Sequence, residues 1–278
     1  MIIIADAGST KIDWRIIDDN QEIQVLTKGF NPYYNDETLL DGLVEDVALK
    51  TDPEKVSIVN YYGTGCSSES SNKIVSRSIK KVFHNAICCV HHDLLASARA
   101  ILKSNSGIAC ILGTGSNSCL YDGNQIIENV PSVGWMIGDE GSGTYIGKLL
   151  ITDYMRYTMP EDIRTMFEEE YHISFEDCLN AMYSQPNPGS FFSQFSHFIS
   201  KNIDKEYCYN ILNKNFDDFY KYQISKYTNF MNEEVGFVGS VAYVFREQLR
   251  EWACKKNINI GTILKAPMDG LIEYHKAQ

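Results

Sequence analysis

The strongest constraint on this chain is an opening pattern that occurs twice. A short apolar run ends in a loop of small residues at Asp6-Ala7-Gly8-Ser9-Thr10, and the arrangement returns at Leu112-Gly113-Thr114-Gly115-Ser116-Asn117. In the first copy, Ile2 to Asp6 is apolar, and Lys11 to Asp18 and Glu22 to Gly29 partly alternate across an Asp18-Asp19-Asn20 turn, which predicts three strands. In the second copy, Gly107 to Leu112, Asn117 to Asp122 and Gln125 to Asn129 read the same way, with Asp122-Gly123-Asn124 as a hairpin turn. Two similar halves, each presenting a small-residue loop, imply a duplicated fold with a ligand in the cleft between them.

The remaining pattern alternates. Helices are expected over 36–50, with Asp36 as N-cap, and over 68–81 and 93–103, separated by strands over 56–62 and 86–90. Helical material runs from Ser142 to Phe230, interrupted by Pro160 and by Pro186-Asn187-Pro188-Gly189. A strand over 235–238, a helix over 242–256, a strand over 258–262 and a last helix over 268–275 follow. This mixture predicts an α/β chain with mixed sheets. The polar Ser104-Asn105-Ser106-Gly107 stretch sets a boundary between halves 1–105 and 106–278, the last helix being free to pack back on the first half.

Composition excludes several classes. A net charge of −11 opposes nucleic-acid binding, which needs clustered cations. No run approaches the roughly 20 apolar residues of a membrane span, and the apolar N-terminus is too short for a secretion signal. The eight cysteines form no Cys-x-x-Cys and no zinc spacing. They read as reduced thiols of a cytoplasmic protein, with Cys88, Cys89 and Cys110 as small buried hydrophobes.

The loops and one junction carry the chemistry. In the first loop, Gly8 and Ser9 let backbone N–H groups converge on phosphate oxygens. Asp6 at a strand end can hold Mg²⁺ through water, and Lys11 supplies a cation. The same residues also suit an ordinary tight hairpin. The second loop adds the hydroxyls of Thr114 and Ser116 and lacks a Walker pattern. At His91-His92-Asp93 a strand gives way to a helix, so Asp93 is either a general base or an N-cap. Phe191, Phe192, Phe195, Phe198, Phe216, Phe219, Tyr171 and Tyr220 fit helix packing.

The chain resembles the N-acetylglucosamine kinase-like branch of the BadF/BadG/BcrA/BcrD ATPase family, in the actin/hexokinase/Hsp70 superfamily. The matching stretches are Asp6 to Lys11, Gly29-Phe30-Asn31-Pro32, Leu112 to Asn117, Gly134 to Gly143, Phe237 to Val241 and Pro267-Met268-Asp269-Gly270. The resemblance implies a two-lobed actin-like ATPase fold of duplicated ribonuclease H-like βββαβαβα domains, with ATP and substrate in the interlobe cleft. It implies that Gly8, Ser9, Thr10, Lys11, Thr114 and Gly115 contact ATP, that Asp6 helps place Mg²⁺, and that Gly239-Ser240 form the adenosine-side loop. It further implies Asp93 as base and Asn31, Ser116, Asn117, Gly134 and Asp139 around an amino sugar whose 6-hydroxyl is phosphorylated. Asp139 competes with Asp93 for the role of base, and Trp135 either stacks on the sugar or packs in the core. A homodimer is common among such proteins.

Two rival readings stay open on the same fold. One is an activator ATPase coupled to an iron–sulfur dehydratase, which needs accessible thiolates where Cys110 and Cys119 fall in strands. The other is a non-catalytic sugar sensor, against which stand the net charge of −11 and the lack of an N-terminal helix-turn-helix. Asp6-Ala7-Gly8 also departs from the Gly-Gly-Gly or Gly-Gly-Ser of many relatives, and the Cys-rich zinc cluster of the ROK group is missing from the sequence.

Overall fold

The computed structural model describes residues 1–278 apart from Ser9, Asp19, Asn20, Gln185, Pro186 and Asn187. The expected ATP contact at Ser9, the Asp18-Asp19-Asn20 turn and the start of the Pro186 to Gly189 breaker therefore fall outside the described residues. The chain divides into two compact units, Met1–Lys103 with Pro267–Gln278, and Ser104–Ala266.

The first unit is built on β1 (Ile2–Ala7), β2 (Lys11–Asp18), β3 (Gln21–Lys28), β4 (Ile58–Gly63) and β5 (Ile87–His92), in the order β3-β2-β1-β4-β5. The first three strands are joined by hairpins and pair antiparallel, whereas β1, β4 and β5 run parallel. On one face lie α1 (Glu37–Ala48) and α2 (Glu69–Val82). The α1 helix buries Leu40, Leu43, Val44 and Val47, the spacing of one helical stripe, and Asp36 caps it by accepting from the Thr38 N–H. Trp14, Phe30, Tyr61 and Phe83 fill the core between these layers. The other helix of this stretch is α3 (Asp93–Leu102).

The second unit repeats the sheet. Its strands β6 (Gly107–Leu112), β7 (Ser116–Tyr121), β8 (Ile126–Glu128), β9 (Val235–Val238) and β10 (Ile260–Leu264) lie in the order β8-β7-β6-β9-β10, with the same antiparallel and parallel senses as in the first sheet. Between β8 and β9 come α4 (Gly134–Ile137), α5 (Gly143–Met155), α6 (Glu161–Tyr171), α7 (Phe175–Tyr183), α8 (Pro188–Ser193), α9 (Ser196–Lys201) and α10 (Glu206–Tyr222). The expected aromatic residues do pack here: Phe167, Tyr171, Phe195 and Phe198 form one ring cluster with centroids 4.9–6.4 Å apart.

The helix expected over 242–256 is two helices, α11 (Ser240–Val244) and α12 (Arg246–Lys255). The break falls at Phe245, whose side chain turns into the core at 2% exposure and takes a non-helical backbone. The four-residue α4 was not expected, since it is too short to show a period. Cys88 and Cys89 are half-buried rather than buried, because β5 is the edge strand of its sheet.

The last helix, α13 (Met268–Lys276), belongs to the first unit, where it packs on α3. Gly270 permits that approach, since a Cβ there would run into the backbone carbonyl of Ala100. Lys103 Nζ donates to Gly270 O at 2.8 Å, and the Tyr62 hydroxyl lies 2.8 Å from His275 Nε2. Among the described residues, no helix is long and apolar enough to cross a membrane.

Candidate active site

Each unit gathers candidate residues at the carboxyl ends of its central strands, where ligands bind in open α/β sheets. In the first unit, strand register sets Asp6 beside Tyr62 and Tyr62 beside His91, so the ends of β1, β4 and β5 are level. The loop after β1 is closed by the Gly8 N–H donating to Lys11 O at 3.0 Å, which spends the Gly8 amide inside the hairpin. Gly29 N–H donates to Thr10 O and Phe30 N–H to Gly8 O, pinning the Gly29 to Pro32 segment to this loop. Asn31 follows, buried, with its side-chain oxygen accepting from the Tyr33 N–H at 3.0 Å.

Asp93 is the first residue of α3, and the N-cap position before it belongs to His92, so Asp93 does not occupy the cap. The Asp93 carboxylate is held from two sides. Thr64 Oγ1 donates to Oδ2 at 2.7 Å, and His92 Nδ1 lies 2.9 Å from Oδ1. Burial alone would raise this group, yet the hydrogen bond and charge of His92, with the Thr64 hydroxyl, keep it below the usual carboxylate range. Burial pulls His92 down, but its bond to Asp93 and that carboxylate's charge leave it raised overall. The Asp93 side chain remains 27% exposed.

Asp6 behaves in the opposite way. Burial first, then the charges of Asp93 and Asp13, push it up to about 7, with Lys11 opposing. A half-buried carboxyl crowded by other carboxylates suits a hydrated divalent cation, which would relieve that repulsion. Asp6 therefore suits the expected Mg²⁺ held through water, and Asp93 is the carboxylate that repels it most.

In the second unit, the loop after β6 closes with Gly113 N–H donating to Gly115 O at 2.9 Å, which leaves the Thr114 and Gly115 amides unspent on it. The start of α5 buttresses it: Gly143 N–H donates to Gly113 O, and Thr144 Oγ1 donates to Thr114 O at 2.6 Å. Gly239 lies against the same loop from behind. Its φ of +130° demands glycine, and a Cβ would strike the Leu112 carbonyl. Ser240 and Thr114 line one cavity of about 210 Å³, together with Gly143, Val241, Val244 and Phe245.

Asp139 stands on the other flank, its backbone in the left-handed region at φ +64°. A Cβ on Gly115 would sit 3.2 Å from Asp139 Oδ2, so the loop and this carboxylate are in contact range. Burial raises Asp139, against hydrogen bonds from the Ser116 N–H and Ser132 and the charge of Lys148. Lys148 Nζ also donates to Trp135 O at 2.6 Å and Gly138 O at 2.8 Å, fixing the segment that begins at Gly134. Trp135 stacks on Phe192 with centroids 6.2 Å apart. The Asn117 side-chain oxygen is taken by the Ser118 N–H and Asn129 Nδ2.

Thr64, Ser132 and Lys148 were not singled out by the sequence. For Thr64 the available signal was its place in Gly63-Thr64-Gly65 at the end of a strand; Ser132 and Lys148 gave none.

Two sheets of identical strand order, each ending in a small-residue loop, define the two-lobed actin-like ATPase fold. No protein-family model and no curated protein matches the chain. Among solved structures, a candidate N-acetylglucosamine kinase from Porphyromonas gingivalis is 35% identical, with TM-score 0.92, over 100% of this chain and 99% of that one. A second candidate N-acetylglucosamine kinase, from Chromobacterium violaceum, shares the fold at TM-score 0.71 and 12% identity, over 98% of both chains. A ROK family protein from Streptococcus pneumoniae, solved with sucrose, shares it at TM-score 0.53 and 10% identity, over 99% of this chain and 98% of that one. The chain belongs to the N-acetylglucosamine kinase-like branch of the BadF/BadG/BcrA/BcrD ATPase family.

Proposed function

We propose that the protein is a cytoplasmic sugar kinase that moves the γ-phosphoryl group of Mg-ATP to the 6-hydroxyl of N-acetylglucosamine or a related amino sugar. The observation that carries this reading is Asp93: an ionised, solvent-reachable carboxylate fixed by Thr64 and His92 beside the cation-suited Asp6. The full-length likeness to a candidate N-acetylglucosamine kinase supports the substrate class.

In this reading Asp93 takes the proton of the acceptor hydroxyl as its oxygen bonds to phosphorus and the bond to the ADP oxygen breaks. Asp6 would hold Mg²⁺, which neutralises charge on the phosphate oxygens when bound. Thr10, Lys11 and the Thr114 and Gly115 amides hold the phosphate chain, with Gly8 shaping its loop and Ser9 as a further contact. Gly239 and Ser240 border the adenosine. Asn31, Ser116, Asn117, Gly134 and Asp139 orient the sugar, since a site built to bond each hydroxyl rejects analogues lacking it. A homodimer belongs to the same reading.

The test is ADP release from Mg-ATP against a panel of amino sugars and hexoses. One amino sugar should stimulate release strongly in the wild type and fail to do so in Asp93→Asn. Release that no sugar stimulates would sink the proposal.

A further inference from the structure

The cavity shared by Thr114 and Ser240 has a wall that the reading above does not use. The α8–α9 segment presents Ser193, Ser196 and Ser200 to it, three residues spaced to share one helical face. Each hydroxyl has a single proton and two lone pairs, and each proton is already committed within the segment. Ser193 Oγ donates to Ser190 O at 3.1 Å, Ser196 Oγ to Ser193 O at 2.7 Å, and Ser200 Oγ to His197 O at 2.8 Å. The three serines are therefore a row of hydrogen-bond acceptors, set beside Gln194 and His197 in the same lining. A triphosphate, which offers acceptors only, gains nothing from the serines; hydroxyl groups of a ligand do.

The wall is also fixed at a definite distance from the phosphate loop. Gly143, whose amide bonds the Gly113 carbonyl, would bring a Cβ to 3.3 Å of Ser193 Cβ and 3.4 Å of Ser196 Oγ. One turn on, a Cβ at Gly147 would run into the Phe192 carbonyl, so α5 and α8 meet backbone to backbone. The acceptor row thus begins about one residue's width from Gly113, and the apolar side chains of Val241, Val244 and Phe245 line another part of the cavity. In a nucleotide the group next to the phosphates is the sugar, and the group that wants an apolar surface is the base.

Resting on the reading that this unit binds ATP, we infer that Ser196 and Ser200 accept hydrogen bonds from the ribose hydroxyls, so that the site selects ribonucleotides over their deoxy forms. Gly143 and Gly147 hold that row in place.

Calorimetric titration of the full chain with ADP, 2′-deoxy-ADP and 3′-deoxy-ADP, each with magnesium, tests this without any sugar. ADP should bind about tenfold tighter than at least one deoxy form, the size of one unmade hydrogen bond. Ser196→Ala and Ser200→Ala should weaken ADP toward the deoxy value while leaving the deoxy value where it was, a coupling that general damage to the fold would not produce. Equal affinity for all three nucleotides overturns the inference, as does a uniform loss in both variants. Discrimination with no sugar phosphorylation upholds it and sinks only the kinase reading; no nucleotide binding at all overturns both.

Discussion

The two sheets share strand order and sense, yet they carry different chemistry. In the first, β1 ends at Ala7 and β2 starts at Lys11, and acids stand at Asp6 near the end of β1 and at Asp93 just after β5. In the second, the loop has the same length, 113–115 between Leu112 and Ser116, and the strand before it ends in Ile111 and Leu112. The connections differ more. From β3 to β4 the chain needs residues 29–57 and one α-helix, whereas from β8 to β9 it runs through 129–234 and, among the described residues, seven. That long connection supplies Asp139, Lys148 and the serine wall. A common sheet thus fixes where the loops emerge, while the connections between its strands set which side chains surround them.

The largest test of this division sets Asp93 against Asp139. Asp93→Asn should lower kcat by about 10²–10⁴-fold and leave ADP affinity unchanged, whereas Asp139→Asn should chiefly raise the KM for the sugar. Steady-state kinetics decides, and a kcat collapse at Asp139 alone would reverse the assignment.

Next in size is Gly239→Ala, which forces a side chain into a left-handed backbone and against the Leu112 carbonyl. It should cost about 3 kcal/mol in denaturant unfolding and weaken nucleotide binding. Gly134→Ala, at φ +74° but facing open space, should cost only about 1 kcal/mol.

Thr64→Val is smaller and sharper. Removing the hydroxyl bond should lower kcat about tenfold, and it should also move the pH profile. Asp93 sits below the usual range partly because of Thr64, and the base is lost as pH falls through its pKa. Releasing the carboxylate raises that pKa, so the acid limb of kcat/KM should begin at higher pH in the variant. An unmoved limb would detach Thr64 from the base.

The smallest effect belongs to Gly115→Ala. Its Cβ would press Asp139 Oδ2 at 3.2 Å, a contact the carboxylate can yield to. The sugar KM should rise about threefold with kcat nearly constant.

The parts of the site that could be read from sequence are those written locally. A glycine-bearing loop after an apolar run, an Asp at a strand–helix junction and an N-cap such as Asp36 each announce themselves within a few residues. The Asp93 network was half legible: the junction showed, but Thr64 enters only because β4 pairs with β5 across 29 residues of chain. Lys148 matters because the first turns of α5 pass beneath Gly138, and the serines of α8–α9 because two glycines let helices touch. Such relations are set by tertiary packing and leave no periodic mark.

The place of α13 has a consequence for how the chain is made. The segment that completes the first unit is made only after the whole of the second, so the earlier-synthesised sheet waits for residues 267–278 before its α3 face is covered. Until then that face, with Tyr62 and Arg99 on it, is open to premature partners. Assembly of the first unit thus reaches across the whole of the second in sequence, and removal of residues 267–278 should injure the first unit before the second.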